Sequence, residues 1–235
     1  MSNANDDEPH LTPQIQEHYE NEVEVLRLLV DLELRYRDYY KLYLCEIETQ
    51  KILIERVWVL TQRYLLVISS GTGCRFPEVY TLSAEEVIIN EYEEKLQVLR
   101  ASNNCLKHSI LELSTHCKEF YAAYKKLDKK METPFILGDK HHRSIQHHKI
   151  MVVDIFNYFY ASILKMKAFM HQLDPISLES IEDYRTLLKP CEEFEEYLMK
   201  RFQYCKCLHP RPTCPIEKLK CLHQRITNLT FVSRV

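Results

Sequence analysis

Apolar residues recur every three to four positions through the middle of the chain. Steps of alternately three and four from Ile89 reach Tyr92, Leu96, Leu99, Asn103, Leu106, Ile110, Leu113, Cys117, Phe120, Tyr124, Leu127 and Met131, and no proline or glycine interrupts them. Such a repeat keeps one seam of an α-helix against a partner helix. With Ile89 at position a, Leu99, Leu106, Leu113 and Leu127 fall at d, and the single polar exception, Asn103, falls at a. A polar a residue fixes register at some cost in stability. Asn103 is therefore expected to pair across the seam, with Gln50 of the preceding helix as the natural partner.

That preceding helix starts at Thr12-Pro13, an N-cap followed by a first-position proline, and meets no breaker before Ser70-Gly71-Thr72-Gly73. Its a/d positions carry Ile15, Tyr19, Leu26, Leu29, Tyr36, Tyr40, Tyr43, Ile47, Ile54, Val57, Tyr64 and Ile68, with Glu22, Glu33, Gln50 and Thr61 as misfits. Leu28, Leu32, Leu42, Leu53 and Leu60 widen the stripe beyond what one neighbour covers. Leu28, Leu32, Leu42 and Leu53, with Tyr39, Tyr40 and Asn103, are the candidate interface residues. Phe76-Pro77 keeps the chain extended, and Ser83-Ala84-Glu85-Glu86 reads as the capping box that opens the helix carrying Asn103.

A second break runs from Thr133-Pro134 to Gly138-Asp139. The spacing then predicts a third long helix over 142–173, stepping through Ile145, Lys149, Val152, Phe156, Phe159, Ile163, Met166, Met170 and Leu173. Asp174-Pro175 starts a shorter helix over 175–189, and Pro190 starts another that runs to Gln203. No alternating strand pattern persists. The expectation is an all-α fold, an antiparallel bundle of three long helices with short C-terminal helices. Residues 1–12 form an acidic, disordered N-terminus, 13–203 the bundle, and 204–235 a basic tail rich in cysteine and proline.

Composition narrows the function. The 235 residues include only three glycines, where average usage would give about sixteen. That scarcity favours a helical scaffold over a loop-rich catalytic fold, which needs glycine where backbone approaches a ligand. No Walker loop, G-x-G-x-x-G, H-E-x-x-H or G-x-S-x-G occurs, and no catalytic or cofactor-binding residue is assigned. The net charge of −3 is unevenly spread: residues 1–24 hold seven acids and no Lys or Arg, and 199–235 hold eight Lys or Arg against Glu217. The nine cysteines, without a secretory leader or a membrane span, fit a soluble protein of the cytoplasm or nucleus. Lys125, Lys126, Lys129, Lys130, Lys140 and Lys149 form a basic belt around His141, His142, His147 and His148. The histidines lack the i,i+4 spacing of helical metal sites.

The segment Tyr160-x3-Leu164-Lys165-x-Lys167, then Leu173-Asp174, then Tyr184-x2-Leu187-Leu188 and Pro190, resembles the C-terminal half of a family of small helical ribosome-maturation factors. Members of that family partner Cdc48-like AAA+ ATPases, and a related cyclin-dependent-kinase-interacting protein is similar. The resemblance implies a non-enzymatic subunit of an ATPase complex acting on pre-ribosomal particles, with no catalytic residues to carry over. The function expected is thus a helical scaffold or adaptor. The alternatives are a coiled-coil subunit of a spindle or kinetochore assembly, or a nucleic-acid-binding module using the belt and tail.

In the tail, Cys205, Cys207, His209, Cys214, Cys221 and His223 are zinc-type ligands within nineteen residues. Their C-x-C spacing departs from the usual C-x2-4-C knuckle, and no metal is expected. Elemental analysis of protein purified without chelator or added metal should find far less than one zinc per chain. Stoichiometric zinc that disappears in Cys205→Ser/Cys207→Ser would refute this.

Overall fold

The structure, a computed structural model, describes residues 13–70, 78–189 and 191–203. The acidic N-terminus, the Gly71–Gly73 break, Pro190 and the tail with its six zinc-type ligands lie outside those residues. The described residues are predominantly helical and contain no strand. The helices are α1 (Pro13–Ser70), α2 (Glu78–Lys125), α3 (Pro134–Leu137), α4 (Ile145–Met170), α5 (Leu178–Leu187) and α6 (Glu192–Phe202).

Helix boundaries depart from expectation where local chemistry offers a choice. α2 starts at Glu78, ahead of the Ser83 capping box. The break at Thr133 holds a one-turn helix that was not expected: Thr133 Oγ1 accepts the Ile136 amide at 3.3 Å, and Pro134 stands in the first turn. Gly138 ends it with φ at 81°, and a Cβ there would lie 2.7 Å from the Ser144 backbone nitrogen. Both the left-handed backbone and the close approach require glycine. α4 is shorter than the apolar spacing implied, because His142–Ser144 are taken up in the turn before it. Ser177, not Asp174, caps α5, accepting the Ser180 amide at 3.3 Å.

The seam of α2 is buried as its spacing requires. Every position from Tyr92 to Leu127 in the repeat is at most 8% exposed, Asn103 included. On α1, Leu26, Leu29, Tyr36, Tyr43, Ile47, Ile54 and Val57 are buried, whereas Ile15, Tyr19 and Ile68 near the helix ends are exposed. The misfits Glu33, Gln50 and Thr61 are buried in register with their apolar neighbours. Helical period decides which face turns inward, whatever the side chain.

The chain divides into two compact units. The first comprises the described parts of Met1–Leu34, Thr115–Val153 and Lys200–Val235. Its core includes Leu26, Leu29, Phe120, Phe135, Val152 and Phe202. Thr133 Oγ1 donates to Glu22, which also meets His18 at 3.1 Å, so the α3 cap is tied to α1. Tyr121 donates to the Lys149 carbonyl at 2.8 Å and Tyr124 to the Gln146 amide oxygen, so contacts descend α4 as they climb α2.

The second unit comprises Arg35–Ser114 and Asp154–Met199. The rings of Tyr39 and Tyr43 meet Phe159 edge-on at 5.2 and 5.0 Å, and Tyr43 lies 3.2 Å from Ser162 Oγ. Across α1 and α2, Gln50 pairs with Ser102 and Arg56 with Glu91, so these contacts descend α2 as they climb α1. Arg185 of α5 bonds Glu55 at 2.8 Å and lies 5.1 Å from the centre of the Trp58 ring.

The expected pairing of Asn103 with Gln50 does not form. Gln50, fully buried, gives its amide N–H to Ser102 Oγ at 3.0 Å and accepts the Tyr184 hydroxyl at 2.7 Å. Ser102 in turn donates to Glu46 at 2.5 Å. The preceding residue on α2 thus takes the partner assigned to Asn103, whose Oδ1 has no hydrogen-bond partner among the described residues. An unmet buried acceptor costs roughly 1–3 kcal/mol. The two amides should therefore respond oppositely to substitution. In chemical denaturation, Asn103→Leu should hold or gain up to about 1 kcal/mol, and Gln50→Leu should lose about 2 kcal/mol by stranding Tyr184 and Ser102. Equal losses in both would show that Asn103 is partnered.

Candidate functional site

The candidate interface residues separate by burial. Leu32, Tyr39 and Asn103 are within 4% of complete burial; Leu32 and Tyr39 are thus core side chains rather than the surface anchors expected, and Asn103 lies in the seam where its spacing places it. Leu28, Tyr40, Leu42 and Leu53 are half-buried. Tyr39 and Tyr40 both lean on Phe159, at 5.2 and 6.1 Å. Tyr39 and Tyr40 thus pack within the second unit. Burial pushes the Tyr43 phenol up to about 12, against the opposing effect of its bond to Ser162. It also holds the Tyr184 and Tyr39 phenols above their ordinary range. All three stay neutral and act as hydrogen-bonding or packing groups.

What the second unit leaves exposed is an apolar groove of about 820 Å³ near the end of α1. Gln62, Leu65, Leu66, Ile68 and Ser69 line it from α1, and Leu178 lines it from the first residue of α5. Leu66 is 68% exposed and Ile68 40%. α5 is positioned by Tyr184 on Gln50 and by Arg185 on Glu55, which sets Leu178 opposite the α1 leucines. The repeat assigned Ile68 to the seam and left Leu66 without a role. The detectable signal was the run Leu65-Leu66-Val67-Ile68, apolar around the whole helix where a seam needs only one side.

In the first unit the four histidines do not converge on a metal site, and no group of three or more metal-ligating side chains occurs among the described residues. They are structural in different ways. His142 is buried with its ring nitrogen 3.3 Å from Asp139, whose carboxylate also accepts the His141 and His142 amides at 2.7 and 2.6 Å. Burial works to raise the Asp139 pKa, but those bonds outweigh it and hold the carboxyl below its usual range. His148 is fully buried with its ring 6.2 Å from Phe202, and His147 Nε2 lies 3.2 Å from the Arg201 carbonyl. His141 precedes α4, so it does not share a helix face with His148.

No helix among the described residues is long and apolar enough to cross a membrane. Compared with protein-family models, curated proteins and solved structures, the chain matches none.

The His147 ring is held below its ordinary pKa, first by burial and then by Arg143 and Arg201, against the opposing bond to the Arg201 carbonyl. Depression in the folded state means that the unfolded chain takes up the proton first. Stability is therefore full above the ordinary value of about 6.5 and falls as acid passes through the folded pKa. Melting temperatures measured from pH 7.5 to 5 should decline less steeply for His147→Gln, which retains a donor but does not titrate. Parallel pH profiles for parent and variant would refute this.

Proposed function

We propose that the chain is a non-enzymatic helical scaffold or adaptor subunit working through helix-to-helix contacts in a larger complex of the cytoplasm or nucleus. Its architecture would be an antiparallel bundle of three long helices with short helices at the C-terminal end. Opposed contact order of α1 and α2 in the second unit, and of α2 and α4 in the first, supports that architecture.

The observation that carries the adaptor reading is the groove at the end of α1. An amphipathic helix laid into an apolar groove is a recurrent mode of recognition, reading pockets at three- and four-residue spacing. Leu65, Leu66, Ile68 and Leu178 offer such a surface at a helix end. Several polar groups of the described residues are meanwhile engaged in holding the fold together: Tyr184 and Ser102 on Gln50, Tyr158 on Glu195, and Asp139 on its own turn. The resemblance of Tyr160 to Pro190 to ribosome-maturation factors makes an AAA+ ATPase the partner to test. Leu178 falls inside that segment.

The test is tagged purification from native cells with Leu66→Asp/Ile68→Asp beside the parent. Both positions are exposed, so the melting temperature should stay within a few degrees of the parent. An ATPase subunit should accompany the parent in stoichiometric amount and fall at least tenfold in the variant. Recovery of no stoichiometric partner, or equal recovery by both proteins, would overturn the reading.

A further inference from the structure

We propose that the belt at the α2–α4 connection is a docking surface for double-stranded nucleic acid, held through its phosphate backbone. The segment from Lys125 to Lys149 carries seven Lys or Arg against three acids in a chain of net charge −3. The acids leave a local surplus of four positive charges, and two of them are engaged by the backbone. Asp128 accepts the Lys130 backbone amide at 3.0 Å, and Asp139 is taken by the amides and ring of the histidine turn. Glu132 alone remains exposed and uncommitted. None of Lys125, Lys126, Lys129, Lys130, Lys140 and Lys149 forms an ion pair with the described residues, whereas Lys41, Lys51 and Lys95 elsewhere each do.

The fold also gathers these charges. Lys129 from the turn after α2 and Lys149 from α4 both lie over the Tyr124 ring, at 5.1 and 5.5 Å from its centre. Their ammonium groups are thus on the order of 10 Å apart or less, about one Debye length at moderate salt, and repel each other. A ring face offsets this only in part. A bound anion relieves it further, and a duplex presents closely spaced phosphates along both strands.

Two observations favour a duplex over other polyanions. Protein–protein interfaces are depleted of lysine, yet this belt is six lysines to one arginine. Single strands are held by exposed aromatic rings, but here Tyr124 and Phe135 are buried and the Tyr121 hydroxyl is bound to the Lys149 carbonyl. What remains is point charges for a backbone, without base readout. Duplex DNA and duplex RNA should therefore bind alike.

The experiment is fluorescence anisotropy on the full chain with labelled duplexes of mixed sequence. The parent should bind duplex DNA and duplex RNA within about threefold of each other, with log K falling linearly in log salt at roughly 0.9 per phosphate contacted. Neutralising Lys125, Lys129, Lys130 and Lys149 to Gln should weaken binding at least tenfold and flatten the salt slope. Lys41→Gln/Lys51→Gln/Lys95→Gln should change neither, which separates the belt from charge in general. Binding unchanged in the belt variant would overturn the proposal and assign the affinity to the basic tail. Tighter binding of polyglutamate than of duplex would overturn it in favour of an acidic protein, and tighter binding of a single strand would overturn backbone-only contact with a duplex.

Discussion

A polar side chain that enters an apolar helix seam must find its partner there or carry the cost of an unmet group, because water cannot follow it in. Gln50 meets that demand with both ends of its amide, and the second unit depends on the result. One end fixes α2 through Ser102, and Ser102 passes the bond on to Glu46; the other end fixes α5 through the Tyr184 hydroxyl. Since helical register is otherwise set by interchangeable apolar contacts, one such node excludes slipped packings that the leucines would tolerate. It also holds α5 against α1, and so contributes to where Leu178 stands beside the exposed end of α1. The groove is a consequence of the register.

The first unit solves the same problem at a turn. Thr133 uses its hydroxyl twice, accepting the Ile136 amide as a cap and donating to Glu22 of α1. Gly138 then lets the backbone pass within van der Waals distance of Ser144, and Asp139 gathers the amides that follow. Asp128 and Asp139 are engaged in shaping this connection, and among the described residues no ion pair ties them to the surrounding lysines. The charge on that surface is thus tied to how the turn is built. Elsewhere, as at Arg185 with Glu55, Glu182 and Trp58, opposite charges are paired within the unit and contribute to helix placement.

Sequence by itself determined that the chain is helical, which face of each long helix turns inward, and that Gln50 and Asn103 lie on that face. Period is a property of the backbone, so even the misfits Glu33 and Thr61 are buried where the repeat places them. It did not determine which polar residues meet. Ser102 and Asn103 are adjacent on α2 and both buried, and a rotation of one residue's arc decides which of them faces Gln50. Nor did it separate full from partial burial among the extra leucines, since Leu28 and Leu32 read alike until packing buries Leu32 and leaves Leu28 half-buried. The convergence of Lys129 and Lys149 on one tyrosine, twenty residues apart in the chain, is likewise a fact of packing. Local pattern specifies an element and its buried face; only the partner surface, assembled from distant residues, decides which side chains touch.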